Sequence, residues 1–225
     1  MIIGLVGLAG SGKDTVGGFL VQDHDFMRIA LADPLKRFAR EVYDFSEEQL
    51  WGPSQFRNAP DLRYPRIVRR SIERDPGDTR SGFEEITEYL TPRYALQTLG
   101  TEWGRDCYDN TWIDLAIRSA KKVLGGGFWY DERSGVYECS RMNRPPAGVV
   151  ITDCRFLNEE RAIKAAGGKV IRIVRPGAGL VGAAGKHKSE TEQLQIRADV
   201  EIVNAGTLDE LRANVRGLVE SILSA

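Results

Sequence analysis

The chain is poor in the residues that build metal centres and covalent cross-links. Among 225 residues there are three cysteines, two histidines and three methionines. Cys107, Cys139 and Cys154 are scattered without metal-ligand spacing, so neither a disulfide framework nor a cysteine zinc site organises the fold, and reduced thiols are expected. His24 and His187 lie too far apart for a local zinc motif. No apolar run approaches the length of a membrane span. The apolar first residues lack a preceding basic segment and a cleavage site, so they read as a strand and not as a leader. Charge of one sign is not in excess either. The 31 Lys and Arg against 32 Asp and Glu leave a net −1, which gives no global case for binding nucleic acid or a membrane. No internal repeat and no second domain boundary are visible. What the chain does have is 42% hydrophobic residues on a length suited to one α/β domain with insertions.

The organising stretch is the start, MIIGLVGLAGSGKDT. Ile2 to Val6 is a branched apolar run suited to a strand buried on both faces. Gly7 to Lys13 has the spacing G-x-x-x-x-G-K, and Val16, Phe19 and Leu20 follow at helical spacing. Strand, glycine loop and helix are the context a phosphate-binding loop requires. Its backbone N–H groups and the positive end of the helix face the phosphates, and Lys13 adds a full charge. The residue after Lys13 is Asp14, where Ser or Thr usually meets magnesium, and Thr15 follows. A carboxylate beside phosphates is repulsive unless a cation lies between them. Asp14 therefore either helps hold hydrated Mg²⁺ or points away, with Thr15 taking the hydroxyl contact. The pattern resembles that of small-molecule kinases and is unlike that of GTPases and most motor ATPases.

Further along, Asp33-Pro34 predicts a helix start, with Leu35, Phe38, Ala39 and Val42 as the buried stripe and Lys36 near the ligand edge of the sheet. Residues 46–92 read as an insertion, opened by a capped turn at Ser46. Phe56 to Arg80 carries seven arginines in what read as mobile pieces, either a clamp over an anionic substrate or a solvated loop. Thr91-Pro92 predicts another helix, on which Arg93, Gln97 and Thr101 share a face if it continues that far. A guanidinium, an amide and a hydroxyl in one row suit a phosphate and a base edge. Trp112 opens the next helix as core or as a ring for stacking on a base. Residues 126–146 hold an aromatic β-hairpin. Val149 to Thr152 is a second buried strand ending in Asp153-Cys154-Arg155, which reads as a magnesium-organising acid and a phosphate arginine, or as an ion pair. A strand over 169–174 ends at Arg175-Pro176, and the Gly- and Ala-rich segment to Lys188 is either a lid or a surface loop. Val200 to Val203, the Asn204-Ala205-Gly206 turn and a capped helix burying Leu208, Leu211, Val215, Leu218, Val219 and Ile222 finish the chain.

GLAGSGKDT, ADPLK, the RYALQTLGTEWGR stretch at 93–105, Asp153-x-Arg155, IRIVRPG, HKSE and IVNAGTLDEL run in order across nearly the whole chain. Together they resemble the tailed-phage deoxynucleoside monophosphate kinases, among the nucleoside monophosphate kinase-like P-loop proteins. The resemblance implies an α/β fold with a five-stranded parallel sheet, order 2-3-1-4-5, flanked by helices. It implies one kinase domain over 1–225 with an acceptor-side insertion at 46–92, a hairpin at 126–146 and a lid at 176–188. ATP would be the donor, a deoxynucleoside 5′-monophosphate the acceptor and Mg²⁺ the cofactor. By motif position, Gly10, Ser11, Gly12, Lys13, Asp14, Thr15, Arg175 and Asn204 would bind ATP. Leu8, Lys36, Arg93, Gln97, Thr101, Trp112, Asp153 and Arg155 would surround the acceptor. Lys13, Asp153 and Arg155 would be catalytic, and Asp14, Thr15 and Asp153 would serve the metal. The alternatives are a dephospho-coenzyme A kinase-like enzyme or a P-loop regulatory or nucleic-acid-binding ATPase. The resemblance leaves a homodimer open, expects no nucleic-acid or membrane partner, and places the protein in the cytoplasm, the host's if the chain is phage-encoded.

Overall fold

A computed structural model of the protein describes residues 1–71, 82–139, 144–179 and 192–223. Arg74, Arg80, residues 140–143 and most of the expected lid lie outside the described residues. In chain order the elements are β1 (Ile2–Val6), α1 (Lys13–His24), β2 (Phe26–Ile29), α2 (Asp33–Tyr43), α3 (Glu47–Trp51), α4 (Ser54–Asn58), β3 (Asp61–Ser71), β4 (Phe83–Leu90) and α5 (Pro92–Gln97). A π-helical stretch (Thr98–Arg105) follows, then α6 (Thr111–Leu124), β5 (Phe128–Asp131), β6 (Gly135–Glu138), β7 (Gly148–Cys154), α7 (Leu157–Ala165), β8 (Lys169–Val174), β9 (Val200–Val203) and α8 (Leu208–Leu223). They fall into two compact units, Met1–Pro34 with Gly104–Ala225, and Leu35–Trp103. The second unit is wider at both ends than the insertion expected at 46–92.

The first unit is built on a parallel sheet, order β2-β7-β1-β8-β9. Numbered by their place in this sheet, the strands run 2-3-1-4-5, as the resemblance implied. Alternation along the strands sends their side chains to two separate cores. Ile3, Leu5, Val150, Ile171 and Ile173 meet α1 and α8 through Val16, Phe19, Leu20, Leu211, Val215 and Val219. Ile2, Val6, Val149 and Ile151 meet α6 and α7 through Ile113, Ala116, Ala120, Val123 and Ile163. The expected stripe of α8 holds except at Leu208, which opens the helix and stays 62% exposed because packing begins one turn later, at Leu211. Thr207 and Glu210 cap this helix reciprocally, each backbone N–H donating to the other's side chain. No helix among the described residues is long and apolar enough to cross a membrane.

The second unit has a small core of Ala39, Phe45, Leu50 and Ala95, ringed by Tyr43, Trp51, Tyr64, Leu90 and Leu96. Tyr43 stacks on Phe45, and Tyr64 meets both rings edge-on. Two sequence expectations fail here. The described part of the arginine-rich stretch is not a loose loop, because Asp61–Ser71 pairs antiparallel with Phe83–Leu90. Cross-strand ion pairs join Arg69 to Glu85 and Arg70 to Glu88. The stripe expected on α2 is also narrower, since Leu35 and Ala39 are buried but Phe38 and Val42 are about half exposed.

Candidate active site

The loop between β1 and α1 folds back on itself. The Ser11 N–H donates to the Leu8 carbonyl at 3.0 Å. The Lys13 ammonium donates to the carbonyl oxygens of Gly7, at 2.5 Å, and Leu8, at 3.1 Å, and so lies over the loop. Gly12 is the N-cap of α1 with φ of +99° and no side-chain cap. A Cβ there would come within 2.5 Å of the Asn204 amide nitrogen, so both conformation and space demand glycine. Asn204 closes the loop from the far edge of the sheet. Its Nδ2 donates to the Ser11 carbonyl at 2.9 Å, and its backbone N–H donates to Val174 at 2.7 Å. The Ser11 hydroxyl is buried and has no hydrogen-bond partner among the described residues. A buried donor without a partner, an uncapped helix start and an ammonium over glycine-loop carbonyls are together what a polyphosphate satisfies. Asp14 and Gly10 are exposed, and Thr15 is half-buried. The Gly179 N–H donates to the Ala9 carbonyl at 3.0 Å, which brings the start of the expected lid onto the loop, while Arg175 is exposed.

Beside the loop, β7 is out of step with β1. Gly4 pairs with Ile151 and Val6 with Cys154, so three residues of β7 match two of β1. The extra residue is a bulge, a device that re-aims side chains. It falls where β7 delivers Asp153. Both oxygens of that carboxylate accept backbone N–H groups of the turn after β2, Leu31 at 2.7 Å and Ala32 at 3.1 Å. Asp153 thus braces the turn that leads into α2, a role the sequence did not suggest. In the same turn the Asp33 carboxylate accepts from the Ala30 N–H and from the Tyr130 hydroxyl of the aromatic hairpin.

Arg155 follows Asp153 by two residues, and its backbone N–H donates to Glu159 Oε2 at 2.6 Å. The Phe156 N–H donates to the same oxygen, and the Leu157 N–H donates to Glu192. Side-chain carboxylates therefore accept the N–H groups at the start of α7, whereas among the described residues no side chain caps the start of α1. Glu159 is fully buried, and burial pushes its carboxyl up to about 7 against the lowering effect of the two N–H groups and of Arg105. Arg105 Nη1 donates to Glu159 Oε1 at 3.1 Å and Nη2 donates to Asn158 at 2.7 Å. The guanidinium carbon stands 3.6 Å from the Phe156 ring centroid. Nothing in the sequence pointed to this network; the one signal was an acid at the third position of the helix, which is common at helix starts.

Trp112 packs against the first unit's core, and a Cβ on Gly104 would fall within 2.2 to 2.8 Å of its indole. In the second unit, Lys36 and Arg40 lie 5.6 Å from the Trp51 ring. Arg93 is exposed and donates to Asn58 Oδ1, and Gln97 is exposed. The α-helix that carries Arg93 and Gln97 ends at Gln97, and Thr101 lies in the π-helical stretch that begins at Thr98.

A parallel 2-3-1-4-5 sheet whose first strand runs through GLAGSGKDT into an uncapped helix, with an acid-bearing strand beside it, defines a P-loop kinase fold. No family model matches the chain. A protein of Acanthamoeba polyphaga mimivirus, provisionally named a deoxynucleotide monophosphate kinase, is 32% identical over 224 residues, which is 98% of this chain and 97% of the viral one. The chain belongs to that deoxynucleotide monophosphate kinase family. Among solved structures, shikimate kinase from Aquifex aeolicus vf5 aligns with all of this chain and 99% of its own, at 12% identity and a TM-score of 0.45, too loose to carry an argument.

Proposed function

We propose that the protein transfers the γ-phosphoryl group of ATP to a deoxynucleoside 5′-monophosphate, giving ADP and the deoxynucleoside diphosphate. The observation that carries this reading is the loop: Lys13 over the Gly7 and Leu8 carbonyls, an orphaned Ser11 hydroxyl and an uncapped α1. The acceptor's class comes from the family, whose viral member is provisionally named for that substrate. The attacking atom is a phosphate oxygen already ionised at neutral pH, so no strong general base is required. Catalysis is then alignment of two anions and neutralisation of their charge. Gly10 to Thr15 cradle the donor phosphates, Lys13 moves from its own loop carbonyls to the transferring group, and Arg155 faces the acceptor phosphate. Lys36, Arg93, Gln97, Thr101, Leu8 and Trp112 are the further acceptor candidates, and Arg175 and Asn204 those for the donor. No cluster of three acidic, histidine or cysteine side chains among the described residues forms a metal cage. That suits Mg²⁺, which keeps its waters and takes one or two protein oxygens beside phosphates, here from Asp14, Thr15 and Asp153. Magnesium bound there neutralises phosphate charge.

The deciding experiment is a coupled ATP-consumption assay over dAMP, dCMP, dGMP, dTMP, 5-hydroxymethyl-dCMP and dephospho-coenzyme A. Turnover with one or more of the deoxynucleotides, lost by about 100-fold or more in a folded Lys13→Ala variant, is expected. No turnover with any nucleotide acceptor sinks the reading, and turnover with dephospho-coenzyme A alone replaces it.

A further inference from the structure

The buried Arg105–Glu159 pair lies outside every residue assigned above to donor, acceptor or metal. The two side chains are only 10% and 4% exposed. A buried ion pair gains little over apolar packing of the same volume. What this pair does is visible in its bonds. Glu159 divides its two oxygens: Oε2 takes the N–H groups of Arg155 and Phe156, and Oε1 takes Arg105. Arg105 divides its fork in the same way between Glu159 and Asn158, and lays its flat face on Phe156. Asn158 in turn donates to the Asp109 carbonyl and to Asn110 Oδ1. The turn from Asp153 to Leu157 is therefore held from below by a carboxylate, which is itself oriented by one guanidinium anchored to the segment before α6.

We propose that Arg105 is a positioning residue for phosphoryl transfer, acting through Glu159 to fix the turn that carries Asp153 and Arg155. The inference rests on the proposed kinase reading for its link to the reaction, though not for the geometry. A planar, two-pronged group is what the arrangement requires. A lysine has one point of charge, and it could not reach Glu159 and Asn158 together while stacking on Phe156. Glu159 without its guanidinium is a buried carboxylate with no counter-charge, and the turn it holds loses its reference point.

Two variants and two readouts separate the possibilities. Arg105→Ala removes the anchor, and Arg105→Lys keeps the charge where the alanine variant fails to fold. Amide hydrogen exchange over residues 153–157 is expected to speed up by about 10-fold or more in either variant, with the Val149–Ile151 amides of the sheet unchanged. In the kinase assay, kcat/KM for the deoxynucleotide acceptor is expected to fall by up to about 100-fold while the KM for ATP stays within about twofold, because misplacement confined to one substrate's side produces that split. Unchanged protection of the 153–157 amides overturns the positioning role, whatever the parent enzyme catalyses. Lost protection with unaltered acceptor kinetics overturns the link to the reaction, and a uniform fall of both substrates' parameters together with the melting temperature reduces the pair to a structural one. A parent protein that transfers nothing to any acceptor overturns the kinase reading instead, and the exchange measurement still reports whether Arg105 holds the turn.

Discussion

The side-chain amide of Asn204 donates to the carbonyl of Ser11 at 2.9 Å, across 193 residues of sequence. One residue belongs to the turn after the last strand of the sheet and the other to the phosphate loop after the first. Gly12 gives the amide room to approach. Asn204→Ala should raise the KM for ATP severalfold with little change in acceptor KM, and should cost about 1 kcal/mol of stability for the lost hydrogen bond. Initial rates with each substrate varied in turn, beside a denaturant titration, check both parts.

Asp153 offers a sharper separation of roles. Its two oxygens receive the N–H groups of Leu31 and Ala32. Asparagine has one acceptor oxygen, so its amide group must face a backbone donor or turn away. Asp153→Asn should therefore lose activity and also about 1 to 3 kcal/mol of stability. Full stability in urea with reduced magnesium response would assign the residue to the metal alone.

The titration of Glu159 carries a sign that can be worked out. Its folded carboxyl is pushed up to about 7 from an ordinary 4.5, chiefly by burial. Between those values the folded state binds the proton more tightly than the unfolded chain does. The contribution is thus fully present below about 4.5 and is lost as pH rises through about 7. Glu159→Gln should flatten that part of the stability–pH curve, by on the order of 1 to 3 kcal/mol between pH 5 and 7.5. Urea unfolding at the two pH values measures it, and an unchanged slope would assign the dependence to other groups.

Gly104 is fixed by a neighbour's ring. A Cβ would meet the Trp112 indole at 2.2 to 2.8 Å. Gly104→Ala should destabilise the protein by about 1 to 3 kcal/mol through overpacking and red-shift the tryptophan emission. A melting temperature equal to the parent's would show that the π-helical segment yields without cost.

The phosphate loop, the two buried strands and the helix stripes could be read directly because each depends on residues close in sequence. A G-x-x-x-x-G-K loop needs only its own glycines and lysine, and a strand buried on both faces is a short apolar run wherever it lies. The failures share a different cause. Phe38, Val42 and Leu208 fit a helical stripe as well as their buried neighbours do, yet each stays about half exposed or more. The arginines of β3 look solvated in one dimension and become a ribbon once Glu85 and Glu88 stand opposite.

Local sequence thus determined the glycine loop, the strand-end acid and arginine, and the elements that carry them, since those follow from backbone freedom, period and charge at neighbouring positions. Family membership came from the order of such local pieces along the chain. Only the tertiary structure decided what Asp153 braces, what closes the loop behind Ser11 and what holds Arg155. Those bonds join residues tens to nearly two hundred positions apart, and neither Leu31 nor Arg105 carries a mark of the role in its own surroundings.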